Sequence, residues 1–76
     1  MNKNKIFRFS SNTYTVILEN GLEDLYNIVR TNWGCSPIQI KYIYNKKTNY
    51  WDVYLTNKLG ETFAMIGTLN FDPNEN

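Results

Sequence analysis

The chain has 76 residues, a formal net charge of +1, no histidine and one cysteine. That composition excludes histidine-dependent catalytic pairs, imidazole-ligated metals, a cysteine-built zinc site and an internal disulfide framework. It also lacks the clustered basic excess by which phosphate-neutralising proteins hold duplex DNA.

A chain this short buries only about 60% of the surface it exposes when unfolded, so its core has to be dense. Two Trp, six Tyr and four Phe meet that need, each able to bury roughly 150–250 Å². A lone cysteine and the polar start Met1-Asn2-Lys3-Asn4-Lys5, which has no apolar signal core, predict a reducing, cytoplasmic setting. No apolar run approaches the ~20 residues of a bilayer span. Frequent Asn, Lys, Ile and Tyr, residues with AT-rich codons, point to an AT-rich genome: a low-GC bacterium, its phages or plasmids, or an organelle.

Ile6 to Phe9 begins an extended run, with Phe7 and Phe9 on one side and Arg8 on the other. After the turn cluster Ser10-Ser11-Asn12, alternation resumes with Tyr14, Val16 and Leu18 on one face and Thr13, Thr15 and Ile17 on the other. The two runs read as a hairpin. Asn20-Gly21-Leu22-Glu23 reads as a helix start, with Asn20 as cap and Glu23 reaching back. Leu22, Leu25, Tyr26, Val29 and Trp33 then form one apolar stripe, widened by Ile28. Gly34 ends the helix and Pro37 prevents its continuation.

Beyond Pro37 the period becomes two. Ile38, Ile40, Tyr42 and Tyr44 share a face, Lys46-Lys47-Thr48-Asn49 turns the chain, and Trp51, Val53 and Leu55 return on the same face. The even loop pairs Ile40 with Leu55, Tyr42 with Val53 and Tyr44 with Trp51. A hairpin loop follows, with Gly60 in a left-handed position, and places Phe63 beside Leu55 and Met65 beside Val53. Leu69 and Phe71 extend a sheet edge, and residues 72–76 are a frayed polar tail after a single domain spanning residues 1–71.

These elements predict a two-layer α+β fold of order β-β-α-β-β-β, with one helix on a four- to five-stranded, mainly antiparallel sheet. The first 45 residues, from Lys5-Ile6-Phe7-Arg8-Phe9 through the helix and Gly34-Cys35-Ser36-Pro37 to Ile43, resemble the ubiquitin-like β-grasp family, its Phox/Bem-type interaction domains included. The resemblance implies a β-grasp topology with one parallel central pair. There is no C-terminal Gly-Gly tail, so conjugation is not implied, and the acidic cluster and lysine of the Phox/Bem-type modules have no counterpart. The regular meander after Pro37 is equally similar to PepSY-type modules, in which a helix precedes a three-stranded antiparallel meander.

The carboxylates do not form a catalytic pair: Glu23 and Asp24 are adjacent and diverge on a helix, and Asp52 has no identifiable second carboxylate. The four glycines are isolated, so no phosphate-cradling loop is present. Cys35 follows a helix C-terminus, where the dipole disfavours a thiolate, and reads as a packing residue rather than a reactive thiol. These readings predict a chain that is not an enzyme and takes no cofactor or metal.

The sheet face away from the helix is the candidate surface. It is expected to carry Lys41, Ile43, Tyr50, Asp52, Tyr54 and Ile66, with Ala64, Thr15 and Ile17 nearby. The same pattern arises from plain cross-strand pairing on a wet face. The leading functional expectation is a small protein-binding module, in one version a phage or mobile-element protein that modulates a host factor, with no membrane partner. Self-pairing through the edge carrying Leu69 and Phe71 is a special case. The alternative is single-stranded nucleic-acid binding by Lys41, Lys46, Lys47, Tyr50 and Tyr54.

Overall fold

A computed structural model of the chain describes residues 4–75. The order is β1 (Ile6–Phe9), β2 (Thr15–Ile17), α1 (Leu22–Trp33), a 3-10 turn (Pro37–Gln39), β3 (Ile40–Asn45), β4 (Tyr50–Thr56) and β5 (Thr62–Leu69). The strands form one sheet in the order β2-β1-β5-β4-β3. Every pair is antiparallel, including β1 with β5. The parallel central pair that a β-grasp topology brings is not formed, and the pairing is that of the antiparallel alternative.

Helix α1 lays Leu25 and Val29, both fully buried, onto Phe7, Val53, Leu55 and Leu69 of the sheet. Leu22 and Ile28 flank them, as the stripe predicts. Trp33 does not join the core. It stays 37% exposed and lies over the Phe9 ring, centroids 6.1 Å apart.

The helix starts one residue later than expected, with Gly21 (φ 63°) as its cap. The acid three residues past the cap is then Asp24 rather than Glu23. Its carboxylate accepts the Asn20 backbone N–H at 2.9 Å and the Asn20 amide at 3.2 Å, and those donors hold it below the usual carboxylate range. Gly34, at φ 69°, closes the helix by donating its N–H to the Arg30 carbonyl.

Ile38 is 90% exposed because the chain makes a 3-10 turn there instead of beginning a strand. The Gln39 side chain fixes this turn by accepting the Ser36 N–H at 3.0 Å.

The β3–β4 register is the one the alternation dictates, with Ile40 opposite Leu55, Tyr42 opposite Val53 and Tyr44 opposite Trp51. Burial and the neighbouring Tyr26 phenol push the Tyr42 hydroxyl well above the ordinary tyrosine range. Tyr44 is less covered than expected, 43% exposed and packed against Trp51.

The β4–β5 hairpin departs from expectation in a defined way. Gly60 takes its left-handed conformation (φ 84°) and Thr56 pairs with Thr62, but Phe63 is an extra residue, so Leu55 pairs with Ala64 and Tyr54 with Met65. Because side chains alternate with period two, that one-residue slip turns Phe63 and Met65 out of the core and Ile66 into it. A second extra residue, Ile66, restores the phase, so that Val53 pairs with Gly67 and Trp51 with Leu69. Leu69 is fully buried on a strand flanked by β1 and β4. It is therefore central and not at an edge, and Phe71 packs against the core beyond it. At the end of the chain Pro73 is buried and Asp72 to Glu75 makes a turn; Asn76 lies outside the described residues.

Candidate interaction surface

One face of the sheet meets the helix, and among the described residues the opposite face has no second layer. Across that open face the register aligns one continuous row: Ile43 on β3, Asp52 on β4, Thr68 on β5, Arg8 on β1 and Thr15 on β2. Adjacent strands lie about 4.8 Å apart, so the row spans roughly 19 Å. On either side of it lie two shorter rows, Lys41–Tyr54–Met65 and Asn45–Tyr50.

Five of the six expected partner-binding residues share this face: Lys41, Ile43, Tyr50, Asp52 and Tyr54. Ile43 and Tyr50 are 42% and 44% exposed. Ile66 is the exception. The bulge in β5 turns it inward, where it is 3% exposed. Met65 takes the outer position opposite Tyr54 that a regular strand would have denied it, and Phe63 also turns to solvent. Ala64 packs against the core, whereas Thr15 and Ile17 are exposed as expected.

Tyr50 and Tyr54 stand four residues apart on one strand, about 13 Å by strand rise, with Asp52 between them. The Asp52 carboxylate accepts a hydrogen bond from the Asn45 amide at 3.3 Å. Of the residues expected to hold a nucleic-acid strand, Lys41, Tyr50 and Tyr54 share this face. Lys46 and Lys47 are exposed at the β3–β4 turn, whose shape is set by the Asn45 side chain accepting the Lys47 N–H.

Arg8 is the residue that reading the sequence overlooked. It is exposed in the row between Thr68 and Thr15, and two open hollows meet at it. The first, about 190 Å³, is lined by Ile6, Arg8, Thr15, Tyr50, Thr68 and Asn70. The second, about 300 Å³, shares Arg8, Tyr50 and Thr68 and extends to the β1–β2 turn. Neither approaches the upper range of small-molecule sites, roughly 300–1,000 Å³.

The free edges of the sheet are β2 and β3. Self-pairing through an edge therefore has β3, six residues long, as its longer candidate rather than the segment of Leu69 and Phe71. Cys35 is buried beneath the helix end. Among the described residues no three His, Cys, Asp or Glu side chains cluster as metal ligands, and no helix is long and apolar enough to cross a membrane.

Fold and surface together define an α+β domain with one helix on one face of a five-stranded antiparallel sheet and an amphipathic face left open. Comparison with known proteins finds no matching family model, curated protein or solved structure.

Proposed function

We propose that this chain is a non-catalytic protein-binding module that docks its partner on the open face of the sheet. The observation that carries the reading is the set of large apolar side chains left accessible on one face, with Ile17, Ile43, Tyr50 and Met65 between 38% and 53% exposed. Such a patch, rimmed by polar groups, is what docking surfaces present. The AT-rich composition supports the narrower version, a phage or mobile-element protein acting on a host factor.

Single-stranded nucleic acid is the competing ligand, supported by Lys41, Tyr50 and Tyr54 on a common face. The position of Asp52 favours protein, because a carboxylate midway between the two stacking tyrosines opposes a phosphate backbone.

The experiment is a peptide-display selection against the intact chain and against a Tyr50→Ser/Tyr54→Ser variant of verified fold. Selected peptides should lose at least tenfold in affinity for the variant. Equal binding to both proteins removes the open face as the docking surface, and tight binding of a dT12 oligonucleotide with a steep salt dependence replaces protein by nucleic acid.

A further inference from the structure

The geometry points to a carboxylate subsite centred on Arg8, which we propose receives an acidic side chain of an extended protein segment lying across the open face. This rests on the protein-docking reading above and specifies the chemistry of the partner.

Arg8 stands between Thr15 and Thr68 in strict register, one on each neighbouring strand, so two hydroxyls flank the guanidinium on the same face. Tyr50 closes one wall of the hollow and Ile6 contributes an apolar one. Asn70 is not a free donor there. Its carbonyl accepts the Ile6 N–H at 2.8 Å and its amide donates to the Asn4 carbonyl at 2.9 Å, so it acts as a fixed wall.

The nearest carboxylate in register, Asp52, is two strands away across Thr68 and is engaged by Asn45. Among the described residues it does not neutralise Arg8. The strands of this sheet carry no other acid: Glu23 and Asp24 are on the helix, and Glu19, Glu61, Asp72 and Glu75 lie in turns or beyond strand ends. Arg8 and Lys41 on the open face therefore face a single carboxylate, and an anionic group from outside complements them.

Size selects the form of that anion. A hollow of about 190 Å³ is smaller than the ~300 Å³ at which small-molecule sites begin, so it suits one side chain and not a whole cofactor. Arginine presents its donors as a planar fork matched to a carboxylate. Ile6 and Ile17, paired in register two residues along from Arg8 and Thr15, provide apolar ground beside the acid.

The test uses the intact ¹⁵N-labelled chain and three fixed probes at millimolar concentration: capped Val-Glu-Val, capped Val-Gln-Val and a dT8 oligonucleotide. Val-Glu-Val should shift the amide signals of Arg8, Thr15, Tyr50 and Thr68, and should bind roughly two- to fivefold more tightly than Val-Gln-Val, the range of a solvent-accessible ion pair. Arg8→Gln, an exposed and fold-neutral change, should erase that difference, and 0.5 M NaCl should shrink it. Equal binding of the Glu and Gln peptides, no shifts around Arg8, or a difference that survives Arg8→Gln overturns the subsite. If shifts then remain at Ile43, Tyr54 and Met65, the docking face stands without it. If dT8 binds through Arg8 more tightly than either peptide, both assignments fall to nucleic acid.

Discussion

Replacing Gly67 with alanine tests the bulge that divides core from open face. A Cβ at this position would lie 2.6 and 2.7 Å from two carbons of the Phe7 ring and would overlap the Arg8 carbonyl oxygen. Restoring ordinary contact at 3.4 Å requires the ring to retreat by about 0.8 Å. Phe7 is fully buried, so it has nowhere to go without displacing its neighbours, and the carbonyl belongs to the strand paired with Gly67. Overpacking of this kind costs about 1–3 kcal/mol, and the backbone overlap places Gly67→Ala at the upper end. For a chain of 76 residues, total stability is on the order of 4–11 kcal/mol. A loss of about 2–3 kcal/mol lowers the melting temperature by roughly 10–20 °C, at 4–8 °C per kcal/mol. Thermal and urea unfolding by circular dichroism measure it. Phe7→Leu in the same background should recover about 1 kcal/mol in a double-mutant cycle, the portion due to the ring. A Gly67→Ala protein melting within 3 °C of the parent would refute the close approach of β1 to β5.

Three further outcomes follow from the same geometry. Met65→Ser should change stability by no more than about 0.5 kcal/mol, as exposed substitutions do, whereas Ile66→Ser should cost about 2–4 kcal/mol for a buried side chain replaced by a smaller polar one; urea unfolding distinguishes this register from the regular one, which reverses the two. Ultraviolet titration should find one tyrosine, removed by Tyr42→Phe, that stays protonated well above the ordinary tyrosine value of about 10. Because its folded pKa is raised, the folded state holds that proton longer than the unfolded chain, so stability is full below pH 10 and falls as pH rises beyond it; a flat dependence there would contradict the burial of Tyr42. The Tyr50→Ser/Tyr54→Ser protein should keep its far-ultraviolet spectrum while losing its selected peptides, and an altered spectrum would make those tyrosines structural.

How far the sequence disclosed this arrangement depended on how local each determinant was. The helix stripe from Leu22 to Val29 and the left-handed Gly34 are written within a few residues of one another, and both appear where they were expected. The β3–β4 hairpin was equally legible, since an even loop and two alternating runs leave one register that gathers Ile40, Tyr42, Val53 and Leu55 on a single face. Strand β5 was not. Regular alternation places Phe63 and Met65 inside, and only two compensating extra residues, Phe63 and Ile66, reverse that choice over four positions. The available signal was Gly67, an isolated glycine within a strand pattern, which marks a bulge or a close backbone approach; here it marks both. Arg8 was hidden for a different reason. Its neighbours Thr15 and Thr68 come from opposite ends of the chain, and no short-range pattern announces their meeting.

The bulges also link the core to the proposed docking face. A regular β5 would bury Phe63 and Met65 under the helix and leave Ala64 and Ile66 outside, giving a larger core and a smaller, weaker outer patch. The observed strand does the reverse, filling the core with Ala64 and Ile66 and leaving Met65 beside Tyr54 in the open. Exposing Met and Phe in place of Ala and Ile forgoes apolar burial at about 25 cal/mol per Å², a loss that a docked partner recovers by covering those side chains. The same second bulge brings Thr68 opposite Asp52, joining β4 to the row that Arg8 occupies. The two bulges in one strand therefore set three things together: the phase of the core, the apolar content of the open face, and the row that carries Asp52, Thr68 and Arg8. Deleting Phe63 and Ile66 would leave Met65 opposite Tyr54, so the direct test is Met65→Ser: a folded variant that still bound the selected peptides with full affinity would separate the bulges from the surface they are argued to build.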